Sequence, residues 1–273
     1  MAARVVTLTS GKGGVGKTTA TANIGVALAR RGHNVVVIDG DIGLRNLDVV
    51  MGLENRVVYN LVHVVRGAVD AERALIKDKR VPGLTLLAAD QHSDKDDVSE
   101  DDMRDACEAL RDHADYILID SPAGIEQGFR NALAPADEVV LITTPDVSAV
   151  RDADRVIGLA EAAGKATPRL VVNRIKPSLV AKGDMMDTND VFDILQIPVL
   201  GVVPEDESIV AATNRGEPVA LQDSSRAGMA FHNMAARLDG EEVPFLSLEV
   251  VEEGLLARLA GAIRGGATHG GAS

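Results

Sequence analysis

The chain has 273 residues, of which 46% are apolar and only 2% aromatic, with a single cysteine and a formal net charge of −13 from 28 basic and 41 acidic side chains. That length suits one large domain packed from Val, Leu, Ile and Ala. The scarcity of aromatics counts against base-stacking platforms, the acidic balance counts against direct nucleic-acid binding, and Cys107 alone excludes an intrachain disulfide or CxxC pair.

The first predicted strand, 4–9, is nearly continuously apolar, as a strand buried on both faces of a parallel sheet is. The glycine-rich loop 10–16 leads into a predicted helix, 17–31, which Gly32 ends. Strands are predicted at 34–38, closing on Asp39, and at 84–88. Six carboxylates in 94–102 read as a solvated run. A helix near 101–112 carries Cys107 as a small buried side chain. Strands 116–119 and 138–143 follow, the first ending at Asp120. A helix near 147–163, strands at 169–172 and 199–203, and helices near 187–195, 208–215 and 225–238 complete a P-loop domain over 1–240. A linker (241–249), an amphipathic helix (250–264) and a small polar tail (265–273), expected to be disordered, end the chain. No internal repeat is visible. The N-terminus has no signal-peptide pattern and no apolar run reaches 18 residues, so a cytosolic protein without a spanning helix is expected.

Strands alternating with helices argue for an α/β fold: an open, mostly parallel sheet with helices on both faces. Ligand chemistry then gathers at the carboxyl ends of the strands. Five groups fall there: 11–18, 39–41, 120–124, 173–174 and 204–206.

The first of these, Gly11, Lys12, Gly13, Gly14, Val15, Gly16, Lys17 and Thr18, matches G-x-x-x-x-G-K-[ST] in full, between a strand and a helix as the motif requires. Its glycines free backbone N–H groups to curl round phosphate oxygens, and the helix N-terminus adds its own donors. Lys17 can reach the β and γ phosphates and Thr18 can offer its hydroxyl to Mg²⁺. Lys12 is an extra cation: either an exposed lysine, or a second contact to phosphate in its own site or across a subunit boundary. Asp120, at a strand end, either holds Mg²⁺ or caps its loop. Asp39 and Asp41 form a second acidic group, and Pro122 and Gly124 shape a loop able to sense the γ phosphate.

The run from Lys12 to Thr19 resembles the deviant Walker A motif of the ParA/MinD ATPases. The stretches 39–48, 51–54, 74–80, 120–126, 147–155 and 203–206 resemble the septum-placing branch of that family, and the similarity covers about residues 3–264. It implies a P-loop ATPase using ATP and Mg²⁺, slow until a partner stimulates it, and forming an ATP-dependent homodimer. Lys12 would reach the partner subunit's phosphates. Lys17 would serve its own, with Thr18, Asp39 and Asp120 about the metal and Asp41 orienting water. Asn173, Arg174, Pro204, Glu205 and Asp206 would surround the base. Ser121, Pro122, Ala123 and Gly124 would form the second switch, with Asp152 and Asp154 on a partner surface. The implied partners are the septum inhibitor MinC, a topological regulator such as MinE or an equivalent, and an anionic phospholipid membrane at the cytoplasmic face of the cell. Missing thiols, the missing CxxC pair and only two tyrosines set the chain apart from other branches. Flagellar-placement, DNA-partition and non-hydrolysing scaffold roles remain as alternatives.

In 250–264, Val251, Leu255, Leu259 and Ile263 recur every four residues with Leu256 beside them, flanked by Arg258 and Arg264. Such a helix either lies on a membrane, its arginine stems reaching headgroups, or packs on its own domain. Glu252 and Glu253 stand where the resemblance leads one to expect basic residues. Pairing of two helices in a dimer would strengthen a weak anchor.

Overall fold

The computed structural model describes residues 2–246. In chain order it contains β1 (Arg4–Thr9), α1 (Lys17–Arg30), β2 (Val35–Asp39), α2 (Leu47–Val50), α3 (Leu61–Val65), α4 (Ala71–Ala74), β3 (Ile76–Lys77), β4 (Leu84–Leu87), α5 (Glu100–Leu110), β5 (Tyr116–Asp120) and α6 (Gln127–Leu133). There follow β6 (Glu138–Thr143), α7 (Val147–Ala162), β7 (Arg169–Ile175), α8 (Pro177–Val180), α9 (Thr188–Leu195), β8 (Val199–Pro204), α10 (Glu207–Thr213) and α11 (Arg226–Leu238). The expected amphipathic helix and tail, with Leu255, Leu256, Arg258, Leu259, Ile263 and Arg264, lie outside the described residues.

The strands form one sheet in the order β3-β4-β2-β5-β1-β6-β7-β8. All neighbours are parallel except β3 and β4. Strand alternation divides the core between the two faces. Val6, Leu8, Val35, Val37, Leu84 and Leu86 pack with α1 and α11 on one side. Val5, Val36, Ile38, Ile117 and Ile119 face α5 on the other, and beside them Leu141, Leu170 and Val172 face α7 and α9. Both faces are therefore dry, which explains why these strands read as unbroken apolar runs.

Predicted and observed elements agree to within a few residues wherever a segment is long enough to show a period. The short α2, α3, α4, α6 and α8 and the two-residue β3 were not predicted. Elements of that length show too few turns or alternations for a pattern. Local capping fixes some of them: the Asn60 side chain accepts from the His63 N–H at 3.1 Å, and His63 Nδ1 accepts in return. The acidic run at 94–102 is more than a solvated face. Ser99 and Asp102 form a capping box at the start of α5, and three acids occupy its first turn, where they meet the positive end of the helix dipole.

β1 lies between β5, reached after the chain has wound outward through β2 and β4, and β6, which starts the other half of the sheet. The crevice at its carboxyl end is the topological switch point where such sheets bind ligands.

Candidate nucleotide site

The loop leaving β1 wraps over that switch point. Gly14 and Gly16 adopt φ of +78° and +94°, left-handed values that a side chain rarely takes. Neighbours also crowd the loop. A Cβ on Gly11 would run into the backbone carbonyl of Asp152 in α7, and one on Gly16 into the Asn173 amide. Helix α1 begins at Lys17 with no side-chain cap and no acid in its first turn, which leaves its first N–H groups and positive dipole end to the loop.

Beneath the loop lies a buried polar cluster. Lys17 Nζ is 3.6 Å from Asp120 Oδ1, with the two side chains only 9% and 2% exposed. Thr21 Oγ1 donates to Asp120 at 3.3 Å, and the Thr18 side chain also acts on it. Burial pushes the Asp120 carboxyl above its ordinary value; Lys17 and the two threonines pull it back, and Asp41 pushes it up. Asp39 lies in register with Asp120 on the adjacent strand. Its carboxylate accepts the N–H groups of Asp41 at 3.0 Å, Asn46 at 3.1 Å and Leu47 at 3.0 Å. Burial first, and then Asp120, nevertheless push Asp39 up to about 7. Asp41 is half-buried at the head of the segment that Asp39 holds.

These oxygens suit Mg²⁺. Among the described residues no three His, Cys, Asp or Glu side chains converge as a metal cage. Mg²⁺ on a nucleotide needs no such cage, because phosphates and waters fill most of its shell and the protein adds one or two oxygens. Thr18, with Asp39 and Asp120, could offer such oxygens to a metal carried by the nucleotide.

The segment after β5 is strapped across the same end. Ser121 N–H donates to Leu8 O at 3.1 Å and Gly124 N–H to Ser10 O at 3.3 Å. Ser121 and Pro122 are buried while Ala123 is exposed, and Gly124 takes φ of +92°. On the far side, buried Asn173 donates from Nδ2 to Val15 O at 2.7 Å, while among the described residues its Oδ1 has no hydrogen-bond partner. Arg174 is exposed with φ of +60°. Pro204 is buried at the end of β8, Glu205 is exposed, and Asp206 caps α10 through its Oδ1. Arg174, Glu205 and Lys176 share with Lys12, Gly13 and Gly14 an open groove of about 380 Å³. Thr19 sits in the first turn of α1, and its carbonyl accepts from Asn23 Nδ2 at 2.7 Å.

Lys12 projects from the mouth of the loop. Its Nζ donates to Ser148 Oγ at 2.7 Å and lies 3.7 Å from Asp146 Oδ1, in a pair about half exposed on both sides. Burial alone would push the Asp146 carboxyl up. Hydrogen bonds from Thr144, the Ala149 N–H and Ser148, with the Lys12 charge, outweigh it and hold it at about 2. Asp152 and Asp154 are exposed on α7.

The sequence reading missed Thr21, Asp146 and Ser148. Thr21 was detectable: it stands four residues after Lys17 on the same face of α1. Asp146 had the signature of an N-cap before α7. That the Lys12 amine turns to it is a tertiary fact with no local signal.

The family model of the CobQ/CobB/MinD/ParA nucleotide binding domain matches residues 6–219. The septum site-determining protein MinD of Synechocystis is 49% identical over 96% of this chain and 99% of its own length, and that of Bacillus subtilis is 49% identical over 93% and 96%. The chain belongs to the MinD/ParA family. Among solved structures of the family, the MinC:MinD cell division protein complex of Aquifex aeolicus is similar with a TM-score of 0.83, at 47% identity over 90% of this chain and 99% of that one. The septum site-determining protein MinD of Pyrococcus horikoshii, complexed with Mg-ADP, has a TM-score of 0.79 at 30% identity, covering 87% and 96%. The chain is thus an ATPase of this family, with ATP and Mg²⁺ as cofactors and a role in placing the division septum.

Proposed function

We propose that ATP closes two copies of this chain around Lys12, and that the dimer recruits a septum inhibitor of the MinC kind at the cytoplasmic face of the membrane. The observation that carries this reading is the setting of Lys12. It borders the phosphate loop, yet its amine is about half exposed and, among the described residues, held by Ser148 and Asp146 at the surface. Lys17, by contrast, is locked under the loop. One lysine is built to serve its own phosphates; the other costs little to redirect towards a second subunit, because an exposed ion pair contributes at most about 1 kcal/mol.

In this reading Lys17 and Thr18 position the triphosphate and metal, with Asp120 and Asp39 behind them, and Asp41 orients the attacking water. Asn173 and Arg174, with Pro204, Glu205 and Asp206, line the base. Turnover is slow until a regulator such as MinE, or an equivalent, engages the face carrying Asp152 and Asp154. Membrane contact falls to Leu255, Leu256, Arg258, Leu259, Ile263 and Arg264. Close relatives named for septum placement favour this role over flagellar placement or DNA partition. Light scattering tests it: the chain should be dimeric with ATP and monomeric with ADP, and Lys12→Ala should remain monomeric while still binding ATP. A Lys12→Ala chain that dimerises fully would remove the proposed role. Equal sedimentation with anionic liposomes in ATP and ADP would remove the membrane switch.

A further inference from the structure

The segment 74–80 carries no part of the nucleotide site, yet it touches two elements that each lead to one end of it. Asp78 is buried. Its Oδ1 accepts the Arg80 N–H at 2.8 Å and Nε at 3.0 Å, and its Oδ2 accepts Nη2 at 2.7 Å. Oriented in this way, the guanidinium donates to carbonyls on two separate elements, from Nη1 to Gly216 O at 2.8 Å and from Nη2 to Met51 O.

Each carbonyl leads to one end of the site. Met51 closes α2, and the N–H groups of Asn46 and Leu47 at its front hold the Asp39 carboxylate. Gly216 closes the turn after α10, whose N-cap is Asp206. The two turns also touch directly. Gly52 and Gly216 take φ of +63° and +65°, and a Cβ on Gly216 would lie 2.5 Å from Gly52 Cα. A four-residue helix has no stability of its own, so α2 takes its position from the burial of Leu47, Val50 and Met51 in the core beside α1 and from what grips its ends: Asp39 in front, Arg80 behind.

We propose that Arg80, oriented by Asp78, is a positioning residue that ties the segment carrying Asp39 and Asp41 to the base-side loop at Asp206, so that the two ends of the nucleotide site move as one body. The inference rests on the assignment of those ends in the proposed function. Arginine is needed because two carbonyls on different elements are met by two nitrogens of one rigid fork; a lysine amine keeps the charge but has only a single nitrogen.

Hydrogen exchange on the full-length, nucleotide-free chain tests the tie directly. In Arg80→Lys the amides of Asn46, Leu47 and Glu217 should exchange about tenfold faster or more, while those of β1 and β5 keep their rates. The same variant should lose about tenfold in kcat for Mg·ATP, while its affinity for ADP without Mg²⁺ stays within about threefold. Gly216→Ala loads the joint from its other side and should repeat both effects. Unchanged exchange at 46, 47 and 217, or a rise spread evenly over the sheet, overturns the proposal. A natural chain that fails to bind ATP would instead strike the nucleotide-site reading and leave the exchange result standing.

Discussion

Replacing Lys17 by Met should destabilise the nucleotide-free chain, and more so at high pH than at low. Methionine keeps most of the stem volume and removes the charge. The amine lies 3.6 Å from Asp120 Oδ1, and both side chains are more than nine-tenths buried. Removing one member of such a pair leaves an uncompensated buried charge, which costs about 3–5 kcal/mol. Asp39, in register with Asp120 and itself buried, adds a like charge. Asp120 can escape part of this cost by taking a proton. Burial already sets its carboxyl above the ordinary value and Lys17 draws it down, so in the variant it rises further. A carboxyl raised in the folded state binds its proton more tightly there than when unfolded, and the stability this gives is lost as pH rises. The deficit should therefore be small near pH 5 and full near pH 8, on the order of 10 °C in Tm for a domain of this size. Urea and thermal unfolding at the two pH values measure it. A loss below about 1 kcal/mol at pH 8, or equal losses at pH 5 and pH 8, would refute the argument that this pair is held together against burial.

Three further outcomes follow from the same geometry. Gly11→Ala should weaken binding of a fluorescent ATP analogue at least about tenfold, because the new Cβ meets the Asp152 backbone rather than a movable side chain; unchanged affinity would show that the loop and α7 part easily. Asp39, pushed up to about 7 chiefly by burial, should make the natural chain less stable as pH rises from about 4 through 7, and Asp39→Asn should remove that component; parallel pH–stability curves for the two chains would refute it. Cys107 is buried in α5, and burial pushes its thiol up to about 12. A thiol reagent at pH 8 should modify it only as fast as the domain unfolds, so labelling that outruns unfolding measured independently would mean that α5 opens locally.

Much of this site was legible because its chemistry is written in contiguous residues. The loop 11–18 announces itself by spacing, and Asp39 and Asp120 by ending apolar runs. What could not be read is how those pieces meet. Asn173 Nδ2 reaches Val15 O across 158 residues of sequence, and nothing near either residue signals it. Asp39 read as a metal-side carboxylate; the structure adds that it grips the N–H groups of Asn46 and Leu47, a contact that exists only because four residues there form a helix too short to show a period. The acidic run at 94–102 reads as a solvated face and its carboxylates are exposed or half-exposed; what composition does not show is that backbone partners also make part of it a helix cap.

The contacts that frame the phosphate loop are mostly made to backbone atoms. Asp152 O faces Gly11, Val15 O takes the Asn173 amide, and Ser10 O takes the Gly124 N–H. Each neighbour is the carboxyl end of a different strand or the helix beyond it, so the loop cannot change shape while all three stay still. Side-chain chemistry is divided just as sharply. Lys17 is held inside by a buried carboxylate, and Lys12 is held outside by a hydroxyl and a carboxylate in water. Water screens the outer pair and leaves it weak, whereas the inner one is costly to break. The loop thus combines one lysine whose position is part of the fold with another held only weakly, by a pair that water screens.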